Sequence, residues 1–337
     1  MLKKIFDELA GLTTEQRNPR SMNLDAMTTR EILEAMNAED RTVPEVVARA
    51  IPQIEQAVNL ISAAFQAGGR LIYVGAGTSG RLGVIDAAEC PPTFGSQPWQ
   101  VQGYIAGGHD ALVRAVEGAE DSFEQAAHDL DVCALNEEDV VVGISASRRT
   151  PYVLGALSYA GEHQAKRILL ICNTPAEKSE IRNPNQTPPN PPAGGGAEIA
   201  EVVISVPVGP ELLTGSTRLK AGTATKLVLN MLSTAAMVSA GKCYENLMVD
   251  LRMGSLKLRA RARKIFIELT GCDYDWADTV LNDADNELKT ALVMHFKGVT
   301  AEHARELLDE SQGRVRDVIE ENRKSKSENP KSESENS

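Results

Sequence analysis

The sequence predicts an α/β fold, a five-stranded, mostly parallel sheet with helices on both faces, followed by a small helical C-terminal domain. Two observations carry this. Five short apolar runs, RLIYVG (70–75), QVQGYI (100–105), VVVGIS (140–145), RILLIC (167–172) and EVVISVP (201–207), are separated by stretches of helical pattern. Strands buried on both faces read as continuous apolar runs, and strands that alternate with helices pair in parallel. Beyond them, residues 258–322 give several short helical patterns, such as AEHARELLDE and RVRDVIEEN, which predict the helical domain.

Taken in order, residues 1–45 read as a helical N-terminal segment and 46–257 as the sheet domain. The periodicity predicts one long helix over 43–67, where Val47, Ile51, Ile54, Val58, Ile61 and Phe65 recur at steps of four and three. RLGVIDAAE continues the first strand as a helix that Pro91-Pro92 is expected to stop. Further helices are expected near 109–130, 151–162 and 217–240. Residues 176–197 carry five prolines and three consecutive glycines and read as a surface insertion. The last residues, 323–337, hold no apolar side chain and predict a disordered tail.

Composition narrows the function. A net charge of −12 argues against a nucleic-acid partner, whose footprint is a basic face. Aromatics are only 4%, too few for base or sugar stacking to organise binding. No run reaches 18 apolar residues and the start carries no signal-peptide pattern, so no membrane association is expected. Five scattered cysteines without a C-x-x-C pair predict reduced thiols in a cytoplasmic protein. The five histidines form no i, i+4 pair, and neither a metal nor another cofactor is expected.

Three hydroxyl-bearing loops are the candidates for binding. Gly75-Ala-Gly77-Thr78-Ser79-Gly80 lies between a strand and a helix, where backbone N–H groups and the helix end favour a phosphate. The string also fits a dinucleotide fingerprint, but the second strand ends in Ile105-Ala-Gly-Gly108 without the acidic residue that a ribose needs. Ser145-Ala-Ser147-Arg148-Arg149-Thr150 repeats the arrangement and reads either as a phosphate cradle or as plain helix capping. In Thr214–Thr223, Ser216 and Lys220 offer a hydroxyl and a cation, or a capped helix start with solvated charges. Two acidic segments accompany the loops. Glu89 is expected at a helix C-terminus, where the dipole disfavours it, and Glu120 lies in EGAED (117–121).

At these motifs the chain resembles a known family. RLIYVGAGTSGRLGVIDAAECPPTFG (70–95), AGGHDALVRAVEGAEDS (106–122), VVVGISASRRTPYV (140–153) and GPELLTGSTRLKAGTATKLVLNMLSTAAM (209–237) closely resemble the N-acetylmuramic acid 6-phosphate etherases, built on the sugar isomerase (SIS) fold. The likeness covers nearly all of residues 14–275. It implies a cytoplasmic, cofactor-free homodimeric lyase whose sites draw on both subunits. Its small-molecule substrate would be a sugar phosphate, bound by Gly77, Thr78, Ser79, Ser145, Ser147, Thr150, Ser216 and Lys220. Glu89 and Glu120 would be the catalytic pair. Two departures stand out. Arg148 occupies a position where such loops usually have glycine, and the 176–197 insertion replaces a shorter connection. A non-catalytic SIS sugar-phosphate sensor and an SIS aldose–ketose isomerase are the rival readings.

Overall fold

The computed structural model describes residues 3, 11–174, 199–251 and 253–320. The 176–197 insertion and the 323–337 tail lie outside the described residues. Two compact units emerge, Met1–Glu89 with Pro98–Ala236 and Cys90–Gln97 with Met237–Ser337.

In the first unit, 3-10 turns at Thr13–Glu15, Pro19–Ser21 and Leu24–Ala26 lead to helix α1 (Thr29–Asp40). Thr28 and Glu31 cap it reciprocally, each side chain satisfying a backbone N–H of the other. The helix expected over 43–67 is two, α2 (Val43–Arg49) and α3 (Ile51–Ala67). Pro52 is the reason: it lacks an N–H and its ring crowds the carbonyl four residues back, so in the middle of the stripe it breaks the helix and sits in the first turn of a new one. Ile51, expected on the apolar face, is consequently 51% exposed.

Strand β1 (Leu71–Gly75) precedes α4 (Gly77–Phe94) and β2 (Val101–Ile105). The helix expected near 109–130 is replaced by a short α5 (Asp110–Val113), a 3-10 turn at Ala119–Asp121 and α6 (Phe123–Asp131). Gly118 at φ +74 reverses the chain before the 3-10 turn, which no helix accommodates. Strand β3 (Val140–Ile144), α7 (Pro151–Glu162), β4 (Lys166–Ile171), β5 (Val202–Ser205) and α8 (Lys220–Ser239) follow. The five strands form one parallel sheet in the order β2-β1-β3-β4-β5. Every residue of β1 and β3 is buried, as their continuous apolar sequences require. Ile72, Val74, Val141 and Leu169 of the sheet share a core cluster with Tyr152, Val153 and Leu157 of α7.

One boundary moves a functional candidate. Pro91 and Pro92 lie inside α4, which runs on to Phe94. Proline forfeits a hydrogen bond but its φ is already helical, and close to a helix end little is lost. Glu89 is therefore more than a turn from the C-terminus, and the dipole no longer singles it out.

The second unit holds a two-residue antiparallel hairpin, β6 (Cys243–Tyr244) with β7 (Leu247–Met248), which the sequence did not announce. Helices α9 (Leu256–Thr270), α10 (Tyr274–Asp283), α11 (Leu288–Lys297) and α12 (Ala301–Glu310) complete it. Phe266, Leu281, Leu292 and Val315 centre its own core. No helix among the described residues is long and apolar enough to cross a membrane.

Candidate active site

The chain leaves β1 for β2 on one side and later enters β3 on the other, so the sheet reverses its winding between β1 and β3. At such a switch point the loops diverge and a crevice opens at the carboxyl ends of the strands. Gly75 pairs with Ile144, so the ends of β1 and β3 are neighbours, about 4.8 Å apart. The Gly77-Thr78-Ser79 turn and the Ser145–Thr150 loop, which start two and one residues beyond these ends, therefore flank one crevice.

Glycine serves two purposes in the first turn. Gly77 holds φ +52, whereas Gly75 and Gly80 allow strand and helix to touch: a Cβ on Gly80 would lie 2.6 Å from the Gly75 carbonyl oxygen. Thr78 and Ser79 are half-buried in the first turn of α4. In the second loop the Ser145 and Thr150 hydroxyls are hydrogen-bonded at 2.8 Å, and the Arg149 N–H donates to Ser147 Oγ at 3.4 Å. Arg148 sits at φ +64. That explains why glycine is usual there: the left-handed region costs other residues about 1–2 kcal/mol. The loop keeps its turn with arginine in place, and Arg148 Nη1 donates to the Thr174 carbonyl at 2.9 Å.

The third loop approaches the first. A Cβ on Gly222 would stand 3.5 Å from Thr78 Cγ2, so the first turn of α8 packs on the Gly77–Ser79 turn. Ser216 is half-buried. Lys220 departs from expectation. Its Nζ is 2.6 Å from Glu39 Oε2 in a buried ion pair, and Glu39 also meets Arg20 at 3.1 Å. Glu211, fully buried, accepts the N–H groups of Lys220 and Ala221 at 2.9 Å. The start of α8 is thus neutralised from within, and the Lys220 ammonium is engaged by Glu39. Burial alone pushes the Glu39 carboxyl up, but the hydrogen bond and charge of Lys220, with Asn18 and Arg20 adding to them, together leave its pKa lowered. A lowered carboxyl contributes stability above the ordinary glutamate range that is lost as pH falls through the folded value. Lys220→Met is expected to destabilise the fold by about 3 kcal/mol, because it strands a buried carboxylate. A chemical-denaturation midpoint measures it, and wild-type stability with weakened substrate binding would instead make Lys220 a ligand group.

The two glutamates are placed differently. Glu120 lies on the 3-10 turn after β2, the strand beside β1. The connection folds closely over the β2 end: a Cβ on Gly107 would lie 3.2 Å from Ala119 Cβ. Arg81 of α4 holds the same connection through the Leu112 and Arg114 carbonyls, at 3.2 and 3.1 Å. Glu120 thus belongs to the carboxyl-end rim. Its side chain keeps a solvent-facing surface, yet surrounding protein and the charges of Asp121 and Glu117 raise its pKa. Glu89 is exposed on α4, about 18 Å of helix axis beyond Gly77. The helix returns toward the amino ends of the strands and carries Glu89 away from its own chain's crevice. Between the glutamates in kind is Asp86, buried where Tyr73 Oη and Asn230 Nδ2 donate to it at 2.9 and 2.8 Å. Burial raises its pKa.

Sequence reasoning overlooked the buried polar residues behind these loops, Glu39, Glu211 and Asn173. Asn173 had a signal, a polar residue directly after the carboxyl end of an apolar strand. Glu39 had none, because its partner Lys220 is distant in sequence, and Glu211 had none, because nothing in the pattern tells that it turns back onto the start of α8.

The family model of the glucokinase regulatory protein N-terminal SIS domain matches residues 53–161. Among solved structures, a phosphoheptose isomerase from Francisella tularensis matches with TM-score 0.45 and 16% identity, over 63% of this chain and 100% of its own. The likeness to curated proteins is far stronger. N-acetylmuramic acid 6-phosphate etherase 2 of Vibrio cholerae serotype O1 is 50% identical over 93% of this chain and 96% of its own. The namesake from Lactiplantibacillus plantarum is 50% identical over 92% and 99%, and the etherase of Salinibacter ruber 49% over 94% and 96%. Half of all residues shared across nearly the whole length, on the sheet and loops just described, leaves one assignment: the chain belongs to the N-acetylmuramic acid 6-phosphate etherase family.

Proposed function

We propose that this protein cleaves the D-lactyl ether of N-acetylmuramic acid 6-phosphate, giving N-acetylglucosamine 6-phosphate and D-lactate, a carbon–oxygen lyase of cell-wall amino sugar recycling. The observation that carries the reading is the meeting of hydroxyl loops at the β1/β3 switch point, on the rim that also bears Glu120. Full-length identity to etherases favours an enzyme over a sugar-phosphate sensor, since the regulatory SIS match spans only 53–161.

The bond dictates the route. A C3 alkyl ether resists hydrolysis because an alkoxide leaves poorly. Opening the sugar ring exposes an aldehyde at C1, which acidifies the C2 proton. Glu120, as base, takes that proton while Glu89, as acid, protonates the departing lactyl oxygen, leaving an unsaturated aldehyde. Water adds at C3 and a proton returns to C2. Opposite protonation states are needed, and such groups contribute about 10²–10⁴-fold each. A raised Glu120 pKa suits the base, because proton affinity rises with it. Thr78, Ser79, Ser145, Ser147, Thr150 and Ser216 hold the 6-phosphate and sugar hydroxyls, with Gly77 giving backbone access.

The working unit is a homodimer, and the placement of Glu89 supports this. It lies far along α4 from its own crevice, and Ile85, one turn earlier on the same face, is 59% exposed. A second copy would cover that face and bring Glu89 to the neighbouring site. The protein acts in the cytoplasm, a reading supported by five cysteines that form no disulfide.

Solvent labelling tests the route. In H₂¹⁸O the label is expected in the sugar hydroxyl at C3 and absent from the lactate, which keeps its ether oxygen. Label in the lactate hydroxyl would show displacement at the lactyl carbon and end the elimination mechanism.

A further inference from the structure

Asn173 follows β4 and is 1% exposed. Its Oδ1 accepts from Thr13 N at 2.9 Å, Thr13 Oγ1 at 2.8 Å and Thr14 N at 3.4 Å. Its Nδ2 donates to Thr14 Oγ1 at 3.1 Å and to the Ala146 carbonyl at 2.8 Å. The backbone donors of residues 13 and 14 fix which way the carboxamide faces, and every donor and acceptor site of the amide is engaged.

The Ala146 bond is the consequential one. Ala146 lies between Ser145 and Ser147, and its oxygen also accepts from Cys172 N at 3.2 Å. In a planar trans peptide the Ala146 carbonyl and the Ser147 N–H point in opposite directions. Holding the oxygen toward β4 therefore aims the Ser147 N–H away from β4's end, and no acceptor among the described residues takes it. The same N-terminal residues brace the third loop: Gly215 N donates to Thr14 O at 3.3 Å, and Ser21 Oγ to Leu212 O at 2.6 Å.

We propose that Asn173, clamped by Thr13 and Thr14, is a positioning residue that fixes the 146–147 peptide so that the Ser147 N–H serves the substrate phosphate. This rests on the reading above that the Ser145–Thr150 loop holds the phosphate. An anchor on a non-reacting group binds ground and transition states alike, so its loss raises KM and spares kcat.

The test uses the full chain, with N-acetylmuramic acid 6-phosphate as substrate and inorganic phosphate as competitor. Ser147→Ala is the control for the loop. Asn173→Ala and Asn173→Asp are each expected to raise KM about tenfold or more, with kcat within about threefold, and to raise the phosphate inhibition constant in parallel. Thr14→Val keeps the volume but removes the hydroxyl that takes Nδ2, and is expected to shift both constants the same way by less. It decides the matter where an Asn173 variant does not fold. If phosphate competes and Ser147→Ala raises KM, while Asn173 or Thr14 variants bind as wild type, the positioning role is overturned and the phosphate loop stands. A fall in kcat with KM unchanged also overturns it. If phosphate does not compete and Ser147→Ala leaves KM unchanged, the loop reading fails and this proposal fails with it.

Discussion

Glu120→Gln is expected to lower kcat for lactate release by at least about 10²-fold while the protein stays folded, since an amide cannot take the C2 proton. The pH profile sharpens this. Desolvation comes first, with Asp121 and Glu117 adding to it, in raising the Glu120 carboxyl above the ordinary glutamate value near 4.5. The base works ionised, so the acid limb of kcat/KM should lie above that value, with activity lost as pH falls through it. Asp121→Asn removes one neighbouring negative charge and should move the limb downward. The substrate's phosphate titrates nearby, but Asp121→Asn cannot alter it in free substrate, so the shift between variants is the diagnostic quantity. Near-normal turnover in Glu120→Gln would remove that residue from the mechanism, and an unmoved limb in Asp121→Asn would detach the limb from Glu120.

Glu89→Gln should be equally damaging, and the two variants together report where each glutamate acts. Each variant alone is expected to be nearly inactive. If a site takes Glu89 from one subunit and Glu120 from the other, a mixed dimer regains one intact site. Equal mixing, after unfolding and refolding, should then restore about a quarter of the wild-type rate, because half the dimers are mixed and each has one working site in two. If both residues came from one chain, every site in a mixed dimer would carry one lesion and no activity would return. The roughly 18 Å of helix between the Gly77 turn and Glu89 is the physical reason to expect recovery.

What the sequence determined by itself was the repeating part of the molecule. Five apolar runs became five parallel strands because burial on both faces demands continuous hydrophobicity, a local property that any reader of VVVGI can see. The hydroxyl loops were legible for a similar reason: glycine and serine at a strand–helix junction advertise their backbone directly. Helix continuity was less so. Pro52 divided one apolar stripe into α2 and α3, Gly118 opened the connection that carries Glu120, and yet Pro91 and Pro92 failed to stop α4. A proline's effect depends on how many carbonyls around it must still find partners, which local pattern does not state.

Only the tertiary structure decided which polar groups are spent inside the fold. Lys220 read as a cation for the substrate, and nothing in its neighbourhood in sequence points to Glu39, which closes its ion pair at 2.6 Å from the far end of α1. Asn173 went unnoticed in the sequence, and became a junction between Thr13, Thr14 and Ala146 only once the N-terminal segment lay against the sheet. Arg148 stood out in the sequence as a departure from glycine, and its φ of +64 showed what the position demands. Hydrophobic burial repeats along the chain and can be counted there. A buried charge or amide must be matched by a partner one to one, and that partner is chosen by the packing of segments more than a hundred residues apart.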